Sequence, residues 1–341
     1  MLDDDKRRRL TDGLVIPAHP LALTADRRLD EPRQRGLTRY YLGAGAGGVA
    51  VGVHTTQFEI RDHDLYEPVL RLAAEEAAAV APGPTGGSDA LLVAGVLGPT
   101  ERAVAEATIA AALGYDLALV ATPGWGGADE AEILAGVAAV AEVLPVFGFY
   151  LQPAVGGRRF GYPYWRAYAE LPGVSAIKIA PFDRYATLDV IRAVVDAGAA
   201  DRIALYTGND DNIVADLLTP YRFGDTTVHI VGGLLGQWAV GTAEAVKLHA
   251  RARAIVRAGG PVPLDLLSAA ARLTDANGAI FDAAHRFAGS IAGVNEVLTR
   301  AGLLAGNWCL TDTERLSPGQ ADDISRVLAA YPALTSGATA R

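Results

Sequence analysis

The sequence predicts an α/β chain folded as a (β/α)8 TIM barrel with a C-terminal helical extension. Short apolar runs alternate with longer Ala-rich segments of helical period, and the alternation repeats about eight times over roughly 240 residues, the size of one such barrel. Most of the short runs are apolar nearly throughout, which suits parallel strands covered on both faces rather than half-exposed antiparallel ones. After Gly241 the alternation stops and only helical periods follow.

In chain order, residues 1–12 (MLDDDKRRRLTD) place three aspartates ahead of the basic run Lys6 to Arg9, which reads as a flexible, solvated terminus rather than a nucleic-acid arm. The barrel is expected over 13–241. Its strands are GLVIPA (13–18), GGVAVGV (47–53), LLVAGV (91–96), DLALVAT (116–122), PVFGFY (145–150), VSAIKIA (174–180), RIALYTG (202–208) and TVHIVGG (227–233). Segments 64–81, 101–113, 129–144 and 188–197 are long enough to be crossover helices. APGPTGGSD (81–89) reads as a loop, 242–332 as the helical extension, and 333–341 as a loose tail.

Composition narrows the function classes. Half of the 341 residues are hydrophobic and 20% are charged, enough for a large core. A formal charge of -9 argues against a nucleic-acid surface, and the single cysteine, Cys309, rules out an intrachain disulfide framework. The N-terminus lacks the apolar region of a secretory signal and no stretch reaches a membrane span, so a cytoplasmic enzyme acting on small molecules is expected. The six histidines show no HxH or HExxH spacing, and GAGAGG (43–48) precedes a strand where a dinucleotide loop would follow one. No metal or cofactor is expected.

Lys178 carries the chemistry. It interrupts an apolar strand, where lysine is almost never buried without a partner or a task. Desolvation lowers the pKa of such an amine, and the neutral form can attack a ketone to give a Schiff base. A strand-end lysine snorkelling to solvent is the plain alternative. In a barrel the reactive groups project from the C-terminal strand ends, which makes His54, Thr55, Thr56, Trp125, Tyr150, Gly208 to Asp210 and Val231 candidates for the same mouth, with His19 at another strand end. Period-two alternation puts Ala176 and Val174 on the side of Lys178, and Gly148 and Val146 on that of Tyr150, leaving Phe147 and Phe149 toward the helices. His229 reads as a core histidine inside strand eight, and FGYPYW (160–165) as either a substrate wall or packing.

These residues together resemble the dihydrodipicolinate synthase and N-acetylneuraminate lyase family of class I Schiff-base aldolases. The likeness rests on Lys178 at the end of strand six, YLQP (150–153) closing strand five, Thr55 and Thr56 after strand two, Pro123 to Trp125 after strand four and Gly208 to Asp210 after strand seven. By that resemblance Lys178 is the Schiff-base lysine and Tyr150 the phenol that shuttles protons. Thr55 and Thr56 would hold a 2-oxo acid carboxylate, and the protein would be a homo-oligomer, a tetramer.

Departures from the family pattern qualify the expectation. GTTGE becomes HTTQFE (54–59), a relay tyrosine becomes Trp125, whose indole only donates, and the substrate arginine position holds Val155, with Arg158 and Arg159 displaced. The expected function is a lyase, aldolase or dehydratase, that binds pyruvate or another 2-oxo acid but is not a true dihydrodipicolinate synthase; a non-catalytic ligand-binding descendant is the rival. Trp125, Phe58 and Trp165 suggest an aromatic mouth and a second substrate less hydroxylated than a sialic acid.

Overall fold

The computed structural model describes residues 2–79 and 90–332, so the segment 81–89 and the tail 333–341 lie outside the described residues. Strands β1 (Val15–Pro17), β2 (Gly48–Val51), β3 (Leu91–Leu97), β4 (Leu117–Ala121), β5 (Val146–Leu151), β6 (Val174–Ala180), β7 (Ala204–Thr207) and β10 (Ile230–Leu235) form one eight-stranded sheet in the order β1-β10-β7-β6-β5-β4-β3-β2. The pairs from β3 to β7 and on to β10 are parallel. A parallel bridge between Ala18 and Ala50 joins the two ends, giving a nearly closed (β/α)8 barrel. Helices α2 (Glu31–Gly43), α3 (Tyr66–Ala79), α4 (Thr100–Ala112), α5 (Glu130–Ala141), α6 (Tyr162–Glu170), α7 (Arg184–Asp196) and α8 (Ile213–Leu218) follow their strands in turn. After α9 (Gln237–Val240) come α10 (Thr242–Ala258), α11 (Leu264–Ile280), α12 (Ser290–Arg300) and α13 (Gln320–Ala330), the expected helical extension.

Two expectations are corrected. Residues Asp4–Asp12 form a helix, α1, capped by the Asp3 side chain on Lys6 N–H and anchored by the buried Leu10, whose carbonyl accepts from Tyr206 Oη at 2.7 Å. One buried apolar residue, one capping aspartate and two acids in the first turn suffice to order a terminus that reads as solvated in sequence. The last barrel strand starts at Ile230, because Thr226–Val228 (β9) pairs antiparallel with Tyr221–Phe223 (β8) in a hairpin of its own. His229 therefore falls between strands rather than inside one.

By its internal contacts the chain divides into two compact units whose boundaries differ from a barrel at 13–241 followed by an appendage. One comprises the chain up to Leu14, Val93–Leu234 and Ala252–Val262; the other comprises Val15–Leu92, Leu235–Arg251 and the chain from Pro263 on. Among the described residues no helix is long and apolar enough to cross a membrane, and no group of three or more His, Cys, Asp or Glu is placed to hold a metal ion.

Candidate active site

The first unit carries Lys178 on β6, five residues into a strand whose other members are apolar or small. Only 8% of the residue is exposed, and its amine stands 4.1 Å from the centre of the Phe149 ring. Burial lowers the amine pKa to about 8, against a smaller upward pull from the negative charge of Asp210. The ring face steadies whatever cationic form the nitrogen takes. Beside the lysine stem, a Cβ on Gly208 would lie 2.6 Å from Lys178 Cε and 2.7 Å from Ala180 Cβ. Glycine fits there because the carbon stem of Lys178 and the Ala180 methyl occupy the space that a Cβ would need.

The β7–α8 turn that brings Asp210 toward the amine is held by a buried carboxylate. Asp216, 1% exposed, accepts from Thr207 Oγ1 at 2.6 Å, Asn209 Nδ2 at 2.9 Å and Asn212 Nδ2 at 2.7 Å, with Arg184 at 3.4 Å. Asn209 also accepts from Phe182 N–H at 3.1 Å, where Phe182 has φ +53°, so the ends of β6 and β7 are tied together. A buried charge satisfied this fully makes a rigid frame. Sequence reasoning missed the frame. Its signal was an aspartate within the apolar helix IVADLL and polar residues at positions 207 and 209.

Tyr150 is not beside the lysine. The β5–β6 register pairs Phe149 with Lys178 and Phe147 with Ala176, which puts the phenylalanines on the lysine's face. Tyr150 and Gly148 turn to α6, with the Tyr150 ring centre 5.0 Å from that of Trp165 at a tilt of 42° and the site of a Gly148 Cβ 2.8 Å from Tyr168. The Tyr150 hydroxyl donates to Phe160 O at 2.9 Å and accepts from Phe160 N–H at 3.2 Å. The cause is a register shift between Val146 and Phe147, since a slip of one residue exchanges the two faces of a strand. The segment 160–165 is thus packing, with Phe160, Tyr164 and Trp165 buried around Tyr150.

The expected aromatic mouth loses both tryptophans. Trp165 belongs to the α6 layer, and Trp125, 5% exposed, lies against Gly98 and Gly136, each of which lacks the Cβ that would strike its ring. Val231, the second residue of β10, lines a cavity around the start of β7, away from the strand's end where Gly208 meets Lys178. The displacement follows from the later start of the last barrel strand. Arg158 donates to Ala128 O at 2.6 Å and Arg159 pairs with Asp183 at 3.3 Å, both on the exterior.

The threonine pair lies in the second unit, in a 3-10 turn over His54–Thr56 after β2. Thr56 Oγ1 donates to His19 O at 2.6 Å and accepts from Gly52 N–H at 3.0 Å and Val53 N–H at 3.2 Å, which commits the hydroxyl to closing its own turn. Thr55 Oγ1 makes a longer bond to the same carbonyl, 3.4 Å, and Phe58 meets His54 edge to face with ring centres 5.7 Å apart. Gln57 has φ +68°, a region that suits the glycine of the family pattern, and its Oε1 accepts from Leu310 N–H at 2.6 Å. His19 is a core residue bonded to Pro20 O and Thr38 Oγ1, its pKa lowered to about 4 by burial.

No family model matches the chain. It is similar to N-acetylneuraminate lyase of Citrobacter koseri, 26% identical over 222 residues that cover 64% of this chain and 70% of that one. Among solved structures it shares the fold of a dihydrodipicolinate synthase of Bacillus anthracis, with TM-score 0.76 and 18% identity over 97% of this chain and 100% of that one. The N-acetylneuraminate lyase of Fusobacterium nucleatum, solved with pyruvate, gives TM-score 0.73 and 17% identity over 95% and 99%. Sequence likeness and fold agree: the chain resembles an N-acetylneuraminate lyase in sequence and shares the fold of solved dihydrodipicolinate synthases and N-acetylneuraminate lyases.

Proposed function

We propose that the chain is a class I lyase in which Lys178 forms an imine with the carbonyl of pyruvate or another small 2-oxo acid. The observation that carries this reading is the buried amine itself. With a pKa lowered to about 8, roughly one tenth of it is neutral at pH 7, against less than a thousandth for a solvated lysine. The nitrogen lone pair attacks the ketone carbon, the carbonyl oxygen takes up protons and leaves as water, and a cationic iminium remains facing Phe149. The iminium withdraws electrons, so the C–C bond one carbon further can break with its electrons held as an enamine as the departing hydroxyl loses its proton and becomes a carbonyl; alternatively, loss of the α-proton gives the enamine, which expels a hydroxyl one carbon further as water and leaves an unsaturated iminium for hydrolysis. Protonation of the enamine and hydrolysis return the amine. Asp210 is the group we assign to hold and return these protons, since its charge acts on the amine and no phenol of β5 stands there.

The second reading is a ligand-binding protein that forms the imine or simply holds the acid without turnover. It is favoured by Phe149 standing beside the amine while Tyr150 is engaged elsewhere. Incubation with a panel of 2-keto-3-deoxy acids, followed by product analysis, separates the two. The lyase reading expects release of pyruvate or loss of a hydroxyl as water, abolished in Lys178→Ala; binding with no product from any acid of the panel favours the second.

A further inference from the structure

A second group of buried polar atoms lies in the first unit around the start of β7, away from Lys178. A cavity of about 340 Å³ is lined there by Asp201, Leu205, His229, Val231 and Arg253. Two atoms on these residues are buried with no hydrogen-bond partner: Arg253 Nε, a donor, and His229 Nδ1. The Thr219 carbonyl favours a ring proton on His229, and with Nδ1 buried and unpartnered we place that proton on Nε2. In the neutral ring Nδ1 is then an acceptor. Arg9 Nη1 is a further buried donor without a partner, and both Arg9 and Arg253 act electrostatically on the phenol of Tyr206. Asp201 stands on the exposed rim, and Asp12 lies 3.7 Å from Arg257, so the three guanidiniums outnumber the two carboxylates.

Leaving a buried guanidinium donor and an imidazole acceptor unmet costs free energy that the right ligand recovers. That ligand needs an anionic oxygen for Arg253 Nε–H and a hydroxyl for His229 Nδ1. We propose that this cavity binds one small protonated oxyanion, of the class of hydrogen phosphate, between Arg253 and His229. Sulfate has the same shape but no proton at neutral pH, so it can satisfy the arginine and not the histidine.

Titration calorimetry of the full chain with inorganic phosphate, and separately with sulfate, tests this. We expect saturable one-site binding of phosphate, with sulfate about tenfold weaker or more, because the unmet histidine acceptor opposes it. Arg253→Gln should weaken phosphate about tenfold, while His229→Phe, which removes the Nδ1 acceptor and supplies none in its place, should erase the preference for phosphate over sulfate. Binding should persist in Lys178→Ala, which makes the site independent of the imine chemistry. Absence of saturable phosphate binding, equal affinity for sulfate in the unaltered protein, undiminished affinity in Arg253→Gln, or loss in Lys178→Ala would each overturn it.

Discussion

At the scale of single residues, the buried amine sets both reactivity and stability. Its folded pKa of about 8 lies below the solvated value of 10.5, so the unfolded chain binds the proton more tightly. The cost to folding, on the order of 3 kcal/mol, is fully present below pH 8 and relieved as pH rises from 8 to 10.5. Lys178→Met should therefore raise the melting temperature near neutral pH while abolishing imine formation; a lower melting temperature would contradict the burial argument. Imine formation in the unaltered protein should rise with pH and level off near 8. In Asp210→Asn the upward pull on the amine is gone, so the levelling point should move to lower pH. Tyr150→Phe distinguishes the structure from the family pattern. Loss of the two bonds to Phe160 should cost about 1 kcal/mol of stability and leave imine formation rates nearly unchanged, whereas a proton-shuttling phenol would bring a loss of about a hundredfold or more.

At the scale of elements, the ends of β6 and β7 act as a pair, one carrying the amine and the other the glycine that makes room for it. Gly208→Ala should cost about 1–3 kcal/mol by overpacking against Lys178 Cε and Ala180 Cβ, and should suppress the imine even in the folded fraction. Circular dichroism melts and trapping yield on the same sample check both halves. The lysine, the glycine and the strands that hold them were legible in the sequence, because a charge in an apolar run and a Gly after a strand are local signals. The facing of β5 was not, since alternation gives two sets of residues but not which set faces inward, and the register shift beside Val146 is a pairing property. The same limit hid the frame around Asp216, whose partners come from β7, the β7–α8 turn and the start of α7 only after folding.

At the scale of the whole molecule, the barrel was readable from the number and spacing of apolar runs, and the comparisons agree with it. The hairpin β8–β9 was hidden because TVHIVGG reads as one continuous strand, with no turn residue to mark where the hairpin ends and the barrel strand begins. We propose, from the family resemblance alone, that the protein assembles as a homotetramer. Trp125 is packed within its own chain against Gly98 and Gly136. Dissociation at low protein concentration should thus leave Trp125 shielded, with little red shift of its fluorescence when the other tryptophans are replaced by phenylalanine; a large shift would show that a neighbouring subunit covers it.

The central claim is that Lys178 forms an imine with a 2-oxo acid, and borohydride reduction in the presence of pyruvate tests it most directly. Peptide mapping by mass spectrometry should find the reduced pyruvyl adduct on Lys178, absent in Lys178→Ala and increasing with pH toward 8. No adduct from pyruvate or any other 2-oxo acid, or an adduct distributed over exposed lysines with Lys178 unmodified, would contradict the account.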